Sequence, residues 1–123
     1  MTILTTQKIL EIHDCVIERY GGTKGVLNTG TIDFLVYLLD KKDDVFERAA
    51  LALDKIITGH PFVDGHKRTG FQVADLILRE RGCHIHASEE EILSTLLKIA
   101  EYKCTVEKIK NWIKRKSRPI KEY

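Results

Sequence analysis

An all-α fold is what this sequence predicts, on three observations. Six segments carry apolar residues at three- and four-residue steps, none alternates convincingly with period two, and the breaks between them fall at glycine, proline or charged turns. The 123 residues, 43% hydrophobic and 31% charged, match one ordinary globular domain spanning 1–123 and not a disordered or disulfide-framed chain.

The first helix is predicted over Gln7–Tyr20, where Ile9, Leu10, Ile12, Val16, Ile17 and Tyr20 form a stripe after a Thr-Thr pair able to cap it. Gly21-Gly22 end it, and GGTKGVLNTG reads as turn chemistry. Ile32, Leu35, Val36, Leu38 and Leu39 mark a short second helix that stops at DKKDD. A third runs from about Asp44 to Thr58 with Ala49, Ala50, Leu53, Ile56 and Ile57 inward. Its end is enforced, because Gly59 is flexible and Pro61 disfavours helical geometry at His60.

A fourth helix begins near His66, carries Phe71, Val73, Ala74, Ile77 and Leu78, and terminates at Gly82. Ser88 and Glu91 have capping-box spacing and open a fifth, with Ile92, Leu93, Leu96, Leu97 and Ala100 on its stripe. The sixth follows Thr105, with Trp112 as its expected core anchor beside Val106, Ile109 and Ile113. CHIHA reads as a brief extended link and the basic run KRKSRPIK as a fraying, solvated tail.

Twenty basic against eighteen acidic side chains leave a charge of +2, which speaks against a dedicated nucleic-acid binder, although the basic excess gathers at the end of the chain. Cys15, Cys83 and Cys104 have no CxxC spacing, so neither a disulfide frame nor a zinc clip is indicated. They are expected to pack as small apolar groups in a reducing cytoplasm. The N-terminus lacks a basic region followed by an apolar core, and the longest apolar stretch, Ile32 to Leu39, is interrupted by Asp33. Neither export nor a membrane span is expected.

One segment carries more chemistry than a link needs: Gly59-His60-Pro61-Phe62-Val63-Asp64-Gly65-His66-Lys67-Arg68-Thr69-Gly70. The helix that follows starts with free backbone N–H groups, and Gly65 lets an anion approach them closely. Lys67 and Arg68 add cations there, the arginine with a planar fork suited to phosphate oxygens. Histidine changes charge near neutral pH, so His60 at the other lip is the candidate base for an attacking hydroxyl. Asp64 is a hard oxygen ligand for Mg²⁺, and Phe62 points inward as the loop's anchor. His60, Asp64 and His66 together are the alternative set for a metal-dependent hydrolase. His84 and His86 are a second, HxH pair with no further ligand nearby, and His13 falls at helical spacing in the first helix.

HPFVDGHKRTG resembles the HPFx(D/E)GN(G/K)R motif of the Fic/Doc family, and EIHDCVIERYGG, GVLNTGTIDFLVYLL and SEEEI extend the resemblance over most of the chain. Its Lys67-Arg68 ending and small size are similar to the Doc, or death-on-curing, branch. The resemblance implies a Fic/Doc-type bundle of about six helices that transfers part of a nucleoside triphosphate, with Mg²⁺, to a hydroxyl of a target protein. It implies that His60 is the base, Phe62 the buried anchor, Asp64 the metal ligand, Gly65 and His66 the anion hole, and Arg68 the phosphate clamp. Lys67 stands where adenylyl transferases have glycine and Doc-like proteins lysine, which implies transfer of the terminal phosphate of ATP. Adenylyl transfer, and nucleotide binding without turnover, are the alternatives.

The branch also implies a toxin with an antitoxin inhibitor supplied by another chain, because no (S/T)xxxE(G/N) stretch is present, and elongation factor Tu as the kind of target. Two departures stand out. His66 occupies the motif's asparagine position, and the DKKDD link between the second and third helices leaves the family's target-aligning β-hairpin flap short or absent.

Overall fold

The computed structural model describes residues 4–121, and within them helices start where short oxygen-bearing side chains can take the first free amides. Thr5 Oγ1 accepts Lys8 N–H (3.1 Å) to open α1, Thr6–Tyr20, and Asn28 Oδ1 accepts Thr31 N–H (3.3 Å) to open α2, Thr29–Asp40. Asp44 caps α3, Val45–Gly59; Ser88 caps α5, Glu89–Ala100; Thr105 caps α6, Val106–Lys116. Only α4, His66–Arg79, has no side-chain cap among these six helices.

α3 is the central rod, packed against α2, α4, α5 and α6. Its adjacent β-branched Ile56 and Ile57 each cost a few tenths of a kcal/mol in helix propensity, which the roughly 1.5–3 kcal/mol from burying each side chain outweighs. Ala49, Ala50 and Ala52 keep the rod thin enough for neighbours on several faces. On the facing helix, a Cβ at Gly70 would lie 3.2 Å from Ile57 Cγ1 and 3.4 Å from Leu53 Cδ1, so glycine there lets α4 approach closely. No helix among the described residues is long and apolar enough to cross a membrane.

Among the described residues the fold is all-α apart from an isolated bridge and one two-stranded antiparallel sheet, and that sheet corrects the expectation of a fraying, solvated tail. Cys83–Ile85 (β1) pairs with Ser117–Pro119 (β2) in the register Cys83 to Pro119, His84 to Arg118 and Ile85 to Ser117. KRKSRPIK is therefore the last turn of α6 plus a strand, extended by the Ile120 N–H bond to Gly82 O (2.8 Å). The sequence concealed it because each strand is only three residues long and its partner lies over thirty residues away. Asp75 Oδ1 fixes β1 from the other side by accepting Ile85 N–H at 3.2 Å.

Two smaller expectations also change. The Ser88–Glu91 box is only half made: Ser88 Oγ accepts Glu91 N–H (3.2 Å), but the Glu91 carboxylate turns to Lys116 (2.7 Å) and Trp112 Nε1 (3.3 Å). It joins α5 to α6 at the buried Trp112, and the Lys116 ammonium holds its carboxyl below the usual range. The cysteines are not uniformly core residues, since Cys15 is exposed on α1 while Cys83 and Cys104 are half-buried.

Candidate active site

The link between α3 and α4 is held in an unusual shape by three layers of contact. At its start, the C-cap His60 adopts left-handed geometry (φ 47°, ψ 54°), where an L side chain costs about 1–2 kcal/mol. Pro61 follows, and its carbonyl accepts Leu27 N–H (2.7 Å) and Asn28 N–H (3.1 Å), while Val63 N–H donates to Gly25 O (3.0 Å). The loop is thus strapped by an antiparallel bridge, Val26 to Phe62, to the segment joining α1 and α2. A Cβ at Gly25 would lie 2.7 Å from Val63 Cγ2, so the strap needs glycine.

Beneath the loop, Phe62 is fully buried and lies flat on the buried His13 ring, with centroids 3.7 Å apart and planes 4° from parallel. His13 Nε2 is 2.8 Å from the Asp64 carbonyl oxygen; an oxygen can only accept, so Nε2 carries the proton and donates it. His13 therefore carries Phe62 and Asp64 together from α1. Helical spacing alone reads His13 as a partly buried helix residue; it lies on the buried stripe of Ile9, Val16 and Ile17, where an imidazole needs a polar partner.

Asp64 is exposed and doubly tethered. Its Oδ2 accepts Thr23 N–H (3.1 Å) and its Oδ1 accepts Gly65 N–H (2.8 Å), and these two backbone donors hold its carboxyl below the usual carboxylate range. Gly22 is required alongside, because a Cβ there would lie 2.7 Å from Asp64 Oδ2. Gly65, left-handed at φ 81° and ψ 20°, then opens α4 without a side-chain cap. The first helical bond is Thr69 N–H to Gly65 O (3.0 Å), so the N–H groups of His66, Lys67 and Arg68 precede the ladder, at the positive end of the helix.

His60 and His66 meet edge to face, centroids 4.8 Å apart at 84°. His66 Nε2 accepts the Phe62 N–H (3.2 Å), which makes it an unprotonated acceptor and turns the ring back into the loop. Burial pushes its pKa below the ordinary value, and the neighbouring His60 and His13 push the same way. A histidine with a depressed folded pKa gives stability that is complete above about pH 6.5 and is lost as the pH falls from there toward the lowered value. The unfolding midpoint of the wild type is expected to fall on acidification from pH 7.5 to 5 more steeply than that of His66→Asn. Parallel profiles in denaturant titrations would refute this.

Lys67 and Arg68 are exposed and line a cleft of about 530 Å³ between α4 and α5, with Tyr20, Phe71, Glu89, Ile92 and Leu93 in its walls. The Arg68 guanidinium carbon lies 4.0 Å from the Tyr20 ring centroid, so the guanidinium is stacked on an aromatic face. Tyr20, placed in the sequence only as a helix-stripe residue, is the platform for this cation.

The residues fit a nucleotide's phosphates and a bridging Mg²⁺. The uncapped amides after Gly65 can take an anion, Lys67 and Arg68 follow on the same first turn of α4 but line the cleft toward α5, and Asp64 presents a carboxylate whose oxygens keep lone pairs beyond their amide bonds. Mg²⁺ bound by one carboxylate plus substrate phosphates and water is ordinary for this ion. The hydrolase set is not assembled: among the described residues no three His, Cys, Asp or Glu groups come together to hold a metal, and His66 Nε2 is already occupied. His84 and His86 lie 6.0 Å apart and likewise gain no third ligand among the described residues.

The sequence model of the Fic/DOC family matches residues 3–78, which spans α1 to α4 and the loop. The chain is also 30% identical over 96 residues to a protein described as protein kinase doc from Escherichia phage P1, an alignment covering 73% of this chain and 76% of the relative.

Proposed function

The chain belongs to the Fic/DOC family, and from that premise we propose that it is a protein kinase of the Doc type, moving the terminal phosphate of ATP to a serine or threonine hydroxyl of a target protein. The observation that carries this reading is the bare N-terminus of α4, open beside His60 while every other described helix is capped by a side chain. The relative's description as a protein kinase supports the choice of reaction, and Lys67 at the position that distinguishes the Doc branch agrees with it.

In this reading the amides of His66, Lys67 and Arg68 bind the transferred phosphoryl oxygens, and the two side-chain cations neutralise its charge. Mg²⁺, when bound, draws charge off the phosphates, and the Asp64 carboxylate would hold it. His60 takes the proton of the target hydroxyl as the oxygen–phosphorus bond forms and the bond to the departing nucleoside diphosphate breaks. The left-handed backbone at His60 and the contact with His66 hold the imidazole at the rim, where a protein hydroxyl can reach it.

The four residues between α2 and α3 hold no strand, in keeping with the short DKKDD link, so a target strand needs another edge. The strap between α1 and α2 offers the alternative. Gly25 O and Leu27 N–H face the loop, which leaves the N–H and C=O of Val26 on the opposite edge, flanked by exposed Val26, Leu27 and Val63. A target segment adding as a strand along Val26 would pass its hydroxyl before His60. The resemblance suggests a translation factor such as elongation factor Tu as that target, in the cytoplasm, and an antitoxin chain as the inhibitor.

The test is incubation of the purified chain with Mg²⁺, cell lysate and ATP labelled at either the γ or the α position. A protein band labelled only from γ-ATP is expected; labelling from α-ATP would reassign the reaction to adenylyl transfer. A second reading, nucleotide binding without transfer, is favoured by the His66 ring, which is committed to Phe62 where the family motif has an amide. Under that reading labelling appears only in His66→Asn.

A further inference from the structure

The net charge of +2 conceals a polarised molecule. Residues 98–121 carry nine basic and two acidic side chains, whereas residues 4–97 carry eleven basic and fifteen acidic ones. The basic region is α6 with its flanks, and seven of its nine cations fall into two sets. One set is used within the fold: Lys110 pairs with Asp44 (3.2 Å), Lys116 with Glu91 (2.7 Å), and Lys114 lies 5.9 Å from the Phe46 ring centroid.

The other set surrounds a hollow of about 470 Å³ between α5 and α6, with Lys98, Lys103, Lys108 and Arg115 around Cys104 and Trp112. No carboxylate lines this hollow, and among the described residues Lys98, Lys108 and Arg115 have no carboxylate within 4.0 Å. Lys103 has only an exposed pairing with Glu101 at 3.6 Å, which is worth little. Four like charges collected on one concave face repel one another, and an anionic partner relieves that cost.

The shape of the face selects among anions. Lys108 and Arg115 are seven residues apart on one helix, a span of roughly 10 Å, which is longer than one phosphate and matches about three nucleotides at the ~3.4 Å rise of a strand. Trp112 is only 7% exposed and its indole N–H is taken by Glu91, so it offers no accessible aromatic anchor of the kind a peptide partner exploits. The charged groups on offer are cations, two of them in a row on α6 and two facing them from α5 and the link. We infer that the α5–α6 face binds the phosphate backbone of nucleic acid, without reading its sequence, on a surface separate from the loop that joins α3 to α4.

The full chain is tested by fluorescence anisotropy against a labelled 20-nucleotide single-stranded RNA and a 20-base-pair DNA duplex at 50–200 mM salt, with polyglutamate as the competing polyanion. Four phosphate contacts predict a log–log salt slope of about −3 to −4, and the one tryptophan reports the same titration from within the hollow. Lys98→Glu/Lys108→Glu/Arg115→Glu is expected to weaken binding at least about tenfold and flatten the slope, while Lys98→Gln/Lys108→Gln/Arg115→Gln, which adds no negative charge to α6, gives the same direction should the first set unfold. The stronger of the two probes identifies the nucleic acid. Absence of binding to both, undiminished binding by the glutamine set, or equal competition by polyglutamate would overturn the inference.

Discussion

His60→Asn is expected to lower the rate of γ-phosphate transfer by roughly 10²–10⁴-fold, the usual contribution of a positioned proton acceptor, equivalent to about 3–5 kcal/mol of transition-state stabilisation. Asparagine is the informative replacement because His60 sits at φ 47°, a conformation asparagine tolerates and alanine adopts at a cost of about 1 kcal/mol. His60 is exposed and its ring touches the fold through His66, so the variant should unfold within about 1 kcal/mol of wild type. The phosphate-binding amides belong to α4 and are untouched by the change. ATP affinity should therefore survive while kcat collapses, the signature of a group that acts in the transition state. An unchanged turnover would remove His60 from the chemistry; a lost ATP affinity with proportionate kcat would make it a phosphate ligand instead.

The parts of the fold that could be read from the chain are those whose signal is local. Thr5, Ser88 and Thr105 announce three helix starts because a cap needs only an oxygen and an amide three residues on. The loop's residues were visible for the same reason, since His60 to Arg68 are contiguous. What could not be read depends on distant pairing. The β1–β2 ladder joins residues across more than thirty positions, and the Asp64 carboxylate is shared between Gly65 beside it and Thr23 forty-one residues earlier. His66 shows the limit most clearly: its motif position suggests a phosphate donor, but whether an imidazole faces the ligand or its own loop is decided by the Phe62 amide 3.2 Å away.

His13→Ala is expected to lower stability by about 3 kcal/mol or more, which is roughly 10–15 °C in Tm for a domain of this size. Two losses combine. The imidazole is 1% exposed and stacked on Phe62, so truncation opens a cavity under the most buried side chain of the loop, and it also leaves the Asp64 carbonyl without its donor. His13 Nε2 is what ties the Asp64 carbonyl to α1, so phosphate transfer should fall further than the stability loss alone explains. His13→Phe separates the two contributions, because phenylalanine keeps a flat partner for Phe62 but offers no N–H to Asp64 O. Chemical denaturation should place His13→Phe between wild type and His13→Ala, and its transfer rate should remain depressed even where it is fully folded. A His13→Phe chain with full activity would mean that stacking on Phe62 suffices to hold the loop, and that the 2.8 Å bond to Asp64 contributes to folding and not to the geometry of the phosphate cradle.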